Sequence, residues 1–168
     1  MELVKAPNYY KIFDHEPAVF LGGSIEMGSA EHWKKRVAEY FSEYEHLLIL
    51  DPQRDDWDSS WDQSPVPGTK FHEQVTWEMK AQEDADLLIY YFSPGTKSPI
   101  TLLELGLYGR GGRTIVCCPP EFWRYGNVKM TCDRYGIHLV ENFDDLLTET
   151  EKFIGLIEQT TSKYTFKF

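Results

Sequence analysis

A carboxylate lies inside an apolar helical segment, where charged side chains are unusual. The segment SPITLLELG, residues 98–106, places Glu104 between leucines on both sides. Charged residues are rarely buried without a partner or a task, and a suitably placed carboxylate can act as a nucleophile. The other interpretation is a glutamate on the solvent face of the helix, where the helix dipole favours it. Gly106 indicates that another group packs closely against this helix. Its place in an apolar helical segment makes Glu104 the leading catalytic candidate.

A second acidic candidate, Glu78, lies in the helical segment before a later apolar strand. The dipeptide Trp77-Glu78 precedes that strand by about two helical turns. The helix delivers Glu78 to the carboxyl end of the strand if it points back toward the site. Spacing alone favours the other interpretation, an exposed and solvated Glu78, because glutamate is mostly a surface residue.

An acidic and aromatic loop contains further candidates. Its sequence DPQRDDWDSSW, residues 51–61, gathers four aspartates, two tryptophans and one arginine. The carboxylates lack the EF-hand spacing of a calcium loop, and the cysteine and histidine spacings give no ligand set, so we predict no metal. Carboxylates accept hydrogen bonds from sugar hydroxyls, and loop aromatics often cap planar ligands. Asp56 and Trp57 are therefore candidates for substrate binding; a solvated loop anchored by Trp57 is the alternative.

A pair of glycines follows the first long apolar run. Gly22 and Gly23 would let a ligand approach the backbone, and Ser24 offers a hydroxyl group. The next residues include neither the Gly-Lys-Ser/Thr of a Walker loop nor the glycine spacing of a dinucleotide-binding loop. A plain strand-to-helix turn explains the pair equally well.

Alternating strand and helix patterns must position these candidates. Apolar runs predict strands at 18–22, 47–52, 86–92, 114–119 and 137–140. Helical spacing, with Pro99 at one helix start, predicts helices at 29–43, 70–84, from 99 onward, 127–135 and 143–160. This alternation predicts one α/β domain over residues 1–168, with a doubly wound, five-stranded parallel sheet in a flavodoxin-like or Rossmann-like three-layer arrangement.

Ligands of such sheets bind outside the carboxyl ends of the strands. The loops that follow the first four predicted strands, 22–29, 51–69, 93–99 and 119–127, therefore lie where a ligand would bind. The polar and aromatic candidates are concentrated in these loops.

Composition narrows the class of protein. A net charge of −10 repels phosphate backbones, which argues against a nucleic-acid partner but not against a small nucleoside. No apolar run approaches membrane-spanning length, and the first residues lack a signal-peptide pattern, so we expect a cytoplasmic protein without a membrane partner. The three cysteines lack C-x-x-C spacing and are expected to be reduced structural thiols; they are Cys117, Cys118 and Cys132.

Several motifs together resemble one known family. They are FLGGSIEMG, DPQRDDWDSSW, the Trp-Glu pair before an Ala-Asp strand, SPITLLELG and the later YGNV. In order and spacing they resemble the nucleoside 2-deoxyribosyltransferase-like family over roughly residues 18–140. The resemblance implies an enzyme, without a cofactor, that exchanges the base of a 2-deoxyribonucleoside for a free nucleobase. It implies that Glu104 attacks the anomeric carbon, where positive charge develops as the glycosidic bond breaks, and that a second base captures the covalent glycosyl-enzyme.

The resemblance also assigns roles to other positions. Glu78 lies close to where the family carries an acidic residue that contacts the base, and a proton donor there assists its departure. Asn127 resembles the family's asparagine that reaches a substrate hydroxyl, commonly in a neighbouring subunit's site, which implies a homo-oligomer. Ser98 stands where better-known members carry an aspartate, whose task then falls to Asp56 or to Ser98 itself.

Two alternatives remain open. The first is a hydrolase that cleaves the N-glycosidic bond of a nucleoside or a nucleoside 5′-monophosphate. A related branch of the family hydrolyses deoxynucleoside monophosphates through the same glutamate and binds phosphate through serines, a role open to Ser24 and Ser98. The other alternative is a nucleotide-binding module without turnover on the same scaffold, because a fold does not determine a function.

Overall fold

Six parallel strands form the centre of the fold in the part of the chain that the structure describes. The computed structural model describes residues 1–14, 16–24, 32–58 and 60–165, with side chains as far as residue 159. The strands are β1 (Glu2–Lys5), β2 (Ala18–Gly23), β3 (Leu48–Asp51), β4 (Leu87–Tyr91), β5 (Thr114–Cys117) and β6 (His138–Val140). They pair in the order β1-β3-β2-β4-β5-β6, and all five pairings are parallel.

The predicted fold class is confirmed, with one correction to the number of strands. Without β1 the order is that of a flavodoxin-like sheet, and β1 adds a sixth strand beside β3, where we predicted five. The segment ELVK was missed because it is an edge strand with one neighbour, and its first two residues are exposed. Such a strand lacks the continuous apolar run of a buried parallel strand, which LLIYY of β4 shows clearly.

Within the described residues, five helices cover the sheet on both faces, as a three-layer arrangement requires. They are α1 (Trp33–Tyr40), α2 (Lys70–Asp84), α3 (Pro99–Tyr108), α4 (Tyr125–Tyr135) and α5 (Phe143–Thr165). Alternate strand residues point to opposite faces. Phe20 and Leu88 therefore pack in one core with residues of α2, α3 and α4, whereas Val19 and Ile89 pack in a second core with residues of α1 and α5.

Local signals explain where the helices that position the site begin. Thr69 caps α2 through its side chain, which accepts a hydrogen bond from the backbone N–H of His72 at 3.2 Å. Pro99 begins α3, as predicted. The helix predicted over 29–43 spans Trp33–Tyr40 where it is described, and residues 29–31 lie outside the described residues.

The state of the cysteines agrees with the sequence analysis. All three cysteines are buried and unpaired, as expected for structural thiols, and burial raises the pKa of the Cys117 thiol to about 12. Within the part of the chain that is described, no helix has the length and apolar character needed to cross a bilayer.

The connections place a crevice at the carboxyl ends of β2 and β4. Within the sheet, β3 lies next to β2 on one side and β4 lies next to β2 on the other side. The direction in which successive strands are added therefore reverses after β3. Ligands of doubly wound sheets bind at such a reversal of strand order. The helices α2 and α3 pack over the same part of the sheet, so side chains on both can meet there.

Candidate active site

Polar side chains on one face of α2 lie near Glu104. Gln74, Glu78 and Gln82 are spaced four residues apart and so share a face of the helix. The amide nitrogen Nε2 of Gln82 donates a hydrogen bond to Oε1 of Glu104 at 3.0 Å. Nε2 of Gln74 donates to Oε1 of Glu78 at 2.8 Å and to the carbonyl oxygen of Pro52 at 2.7 Å. Each of the two predicted acids therefore has its own amide donor.

The Glu104 carboxyl group holds its proton more strongly than an ordinary glutamate. The side chain is half-buried, and burial raises its pKa from 4.5 to about 7, with the negative charge of Glu78 adding to the rise. The hydrogen bond from Gln82 and the positive charge of Lys34 act in the opposite direction. A carboxyl group with a pKa near neutrality exchanges its proton readily at physiological pH.

Glu78 lies in the same electrostatic environment as Glu104. It is half-buried, not solvent-exposed as its spacing favoured. Burial raises the pKa of Glu78, whereas the hydrogen bond from Gln74 and the charge of Lys34 lower it. Because the charge of Glu78 raises the pKa of Glu104, adding a proton to one carboxyl group makes the other more acidic.

A buried ion pair lies at the end of β3, beside these carboxyl groups. Nζ of Lys34 lies 2.7 Å from Oδ1 of Asp51, and the two side chains are 7% and 5% exposed. The backbone N–H of Gln53 donates to the same carboxylate oxygen at 2.9 Å. Lys34 therefore brings a positive charge that acts on both Glu78 and Glu104.

Three buried hydroxyl groups join the loop after β2 to the loop after β4. Oγ of Ser24 lies 2.8 Å from Oγ1 of Thr96 and 2.5 Å from Oγ of Ser98, and the last two atoms are 2.9 Å apart. The backbone N–H of Ser93 donates to Ser24 Oγ at 3.1 Å. Ser98 has a left-handed backbone conformation, with φ of 48°, immediately before α3. The predicted residues Ser24 and Ser98 therefore come together, in mutual contact.

The two glycines after the first strand permit close packing. A Cβ atom on Gly22 would lie 2.3 Å from Cδ1 of Tyr90, and one on Gly23 would lie 2.6 Å from the carbonyl oxygen of Tyr91. Both distances are far below van der Waals contact. These positions therefore need glycine to accommodate β4, which gives a packing reason for the motif that the sequence suggested for ligand approach.

Asp56 belongs to an ion-pair network in the loop after β3. Its carboxylate binds Arg54 at 2.8 Å and Lys70 at 3.1 Å. The hydrogen bonds from Arg54 and Lys70 lower the pKa of Asp56 to about 2. Arg54 also binds Glu73 of α2 at 2.8 Å. The contacts of Asp56 within this network connect the loop to the start of α2.

Trp57 and Asn127 lie on the surface. Trp57 is 42% exposed, and its ring centroid lies 5.2 Å from that of Trp61. Asn127 is an exposed residue in the first turn of α4.

In residues 1–14, 16–24, 32–58 and 60–165, no group of three or more His, Cys, Asp or Glu side chains is arranged to hold a metal ion.

Several contributors to this arrangement were not among the residues predicted for the site, and they include Lys34, Gln74, Gln82 and Tyr90. The four-residue spacing of Gln74, Glu78 and Gln82 was the available signal for the glutamines. Lys34 and Tyr90 gave no such signal, since a lysine on a helix and a tyrosine in an apolar strand are common.

Comparison with known proteins agrees with the fold and with the motifs up to residue 106, whereas the YGNV motif with Asn127 lies beyond the matched residues. A crystal structure of a conserved protein from Enterococcus faecalis V583 aligns with a TM-score of 0.54 at 12% identity, covering 82% of this chain and 98% of that one. This likeness concerns the fold alone. A search among curated proteins finds no match. The family model described as "Nucleoside 2-deoxyribosyltransferase like" matches residues 16–122, which is more than half of the chain and includes Gly22, Glu78 and Glu104. The chain therefore belongs to the nucleoside 2-deoxyribosyltransferase-like family.

Proposed function

We propose that this protein transfers 2-deoxyribose between nucleobases through a covalent intermediate on Glu104. The observation that carries the proposal is the coupled pair of half-buried carboxyl groups, Glu78 and Glu104, each with a separate amide donor. Family membership supplies the substrate class. The chemistry needs a nucleophile and a proton donor at one site, and this pair can supply both.

The first half-reaction starts from the form in which Glu104 is ionised and Glu78 carries the proton. This is the less populated of the two singly protonated forms, because burial raises the pKa of Glu104 to about 7 and that of Glu78 by less. A carboxylate oxygen of Glu104 forms a bond to the anomeric carbon as the bond from that carbon to the base nitrogen breaks. The electron pair of the broken bond stays on the base nitrogen, and Glu78 gives the base its proton. The products are a neutral base, a glycosyl ester of Glu104 and an ionised Glu78.

In the second half-reaction, a different base reverses these steps. Its ring nitrogen attacks the anomeric carbon, Glu104 departs as a carboxylate, and Glu78 accepts the proton that the base nitrogen loses. The electrostatic coupling between the two groups favours this exchange, since the site holds one proton more easily than none or two. No cofactor or metal takes part in this scheme.

The test is base exchange with purified protein. Deoxyadenosine or thymidine is incubated with a second free base, and the products are separated by chromatography. We expect a new deoxynucleoside from the wild type and none from Glu104→Gln. The matched control is Glu83→Gln, an exposed position on α2, which should keep the wild-type rate. Wild-type exchange by Glu104→Gln would refute the mechanism.

Hydrolysis of deoxynucleoside monophosphates is the second candidate. It is favoured by the hydroxyl groups of Ser24, Thr96 and Ser98, which meet at the crevice between β2 and β4 and could reorient toward a phosphate group. Assay of deoxynucleosides and their 5′-monophosphates, each with and without a second base, separates the two activities. Free deoxyribose 5-phosphate without dependence on a second base would favour the hydrolase.

We also propose that the protein forms a homo-oligomer through the outer face of α3. Ile100, Leu103 and Leu107 are 61%, 58% and 59% exposed, and their spacing puts them on one side of the helix that bears Glu104. Exposed apolar stripes of this kind mark interaction surfaces. Leu103→Glu should lower the mass measured by analytical ultracentrifugation, whereas Leu156→Glu, at an equally exposed leucine of α5, should not.

A further inference from the structure

A chain of hydrogen bonds runs from the centre of the sheet to Glu104. The hydroxyl group of Tyr90 donates to Oε1 of Gln82 at 2.6 Å. Nε2 of Gln82 donates to Oε1 of Glu104 at 3.0 Å and to the carbonyl oxygen of Glu78 at 3.2 Å. Tyr90 is fully buried and Gln82 is 1% exposed, so water does not compete for the bond between these two side chains.

The hydroxyl group of Tyr90 determines which way the Gln82 amide points. Burial and the negative charge of Glu104 raise the pKa of Tyr90, so its hydroxyl keeps its proton and serves as a donor. The amide oxygen of Gln82 accepts this hydrogen bond, which turns the amide N–H groups toward Glu104. When Glu104 is ionised, the reversed amide would place an oxygen against its carboxylate, with no proton to share between them.

Gly22 makes room for the tyrosine that orients the amide. The register of β2 and β4 places Gly22 beside Tyr90, and a Cβ atom at Gly22 would lie 2.3 Å from Cδ1 and 2.4 Å from Cε1 of the Tyr90 ring. An alanine at this position would displace the ring. The position of the Tyr90 hydroxyl therefore depends on glycine in the neighbouring strand.

We propose that Gln82 is a positioning residue for Glu104, oriented by Tyr90 and, behind it, by Gly22. The bond from Gln82 engages Oε1 and stabilises the negative charge of Glu104 within a half-buried site. Engaging Oε1 orients the carboxylate so that Oε2 is the oxygen that would bond to the anomeric carbon. The importance of Gln82 for catalysis rests on the proposed function, whereas the effect of Gln82 on the charge of Glu104 does not.

Gln74 provides an internal comparison on the same helix face. It donates to Glu78, but its own Oε1 is buried without a hydrogen-bond partner among the described residues. Gln82 has partners at both ends of its amide. Removal of the Gln82 amide should therefore act first on Glu104, and removal of the Gln74 amide should act first on Glu78.

The test is a titration of the glutamate side chains in the free protein. Carbon-13 spectra of glutamate carboxyl groups are recorded against pH, and Glu104→Gln identifies the resonance of Glu104. We expect a midpoint near the wild-type pKa of about 7 to rise by about one pH unit in Gln82→Met, since a hydrogen bond to a charged group has been removed. Tyr90→Phe, which removes a single oxygen atom, should move it in the same direction by less.

Further variants separate positioning from a general loss of packing. Gln74→Met should move the Glu78 midpoint more than that of Glu104, and Glu83→Gln should move neither substantially. An unchanged Glu104 midpoint in both Gln82→Met and Tyr90→Phe overturns the proposal, and Tyr90→Phe alone decides if Gln82→Met fails to fold. Where exchange is measurable, the acid limb of kcat/KM should shift to higher pH with the Glu104 midpoint. An inactive wild type with the predicted midpoints would refute the proposed function and leave the positioning role standing.

Discussion

Replacing Glu104 with glutamine should stabilise the protein at neutral and alkaline pH. The folded state raises the pKa of Glu104 from 4.5 to about 7. Between these two values the folded protein retains a proton that the unfolded chain releases. The free energy of unfolding of the wild type therefore falls as the pH rises through this interval, and remains lower above it. A glutamine has no charge to desolvate, and its side-chain oxygen can still accept the hydrogen bond from Gln82.

The magnitude follows from the size of the shift. Each pKa unit corresponds to about 1.4 kcal/mol, so the rise to about 7 sets an upper value of about 3 kcal/mol at pH 8. Most of this difference should be absent at pH 5, where the folded wild type keeps the proton. The stabilisation should therefore grow by about 2 kcal/mol between pH 5 and pH 8.

Urea unfolding of both proteins from pH 5 to pH 8 measures this difference. Glu83→Gln is the control, because an exposed substitution away from the site should change the free energy of unfolding by about 0.5 kcal/mol or less. A stability difference between wild type and Glu104→Gln that stays constant over this range would refute the electrostatic reasoning. A glutamine variant that is less stable at pH 8 would show that the ionised Glu104 is a structural requirement.

Three further substitutions test the surroundings of the site. Lys34→Met leaves the buried carboxylate of Asp51 without its cation, which should cost about 3–5 kcal/mol in urea unfolding; a loss below about 1 kcal/mol would show that water replaces the partner. Gly22→Ala forces a methyl group against Tyr90 and should lower the free energy of unfolding by about 1–3 kcal/mol, seen as a lower melting temperature. Trp57→Ala should raise the ratio of free deoxyribose to exchanged nucleoside if this exposed tryptophan excludes water from the intermediate; an unchanged ratio with a lower melting temperature would indicate a packing role.

Much of the fold could be predicted because its signals are local. The apolar run of β4 and the proline at the start of α3 act within a few residues, and both predictions are confirmed. The strand β1 was missed because an edge strand of four residues depends on its partner β3 and not on a pattern of its own. The loop predicted at 22–29 and the helix predicted at 29–43 fall partly on residues 25–31, which lie outside the described part of the chain.

The candidate site divides in the same way between local and long-range information. By itself the sequence singled out Glu104, because a carboxylate between leucines conflicts with the expected apolar pattern of a core-facing helix. It also supplied the family motifs. The tertiary structure decided the environment of that carboxylate. Gln82 reaches it across 22 residues of sequence, and the strand register that sets Gly22 beside Tyr90 joins residues 68 positions apart. Hydrogen bonding, burial and charge coupling of this kind arise when separate segments pack together, so no local pattern encodes them.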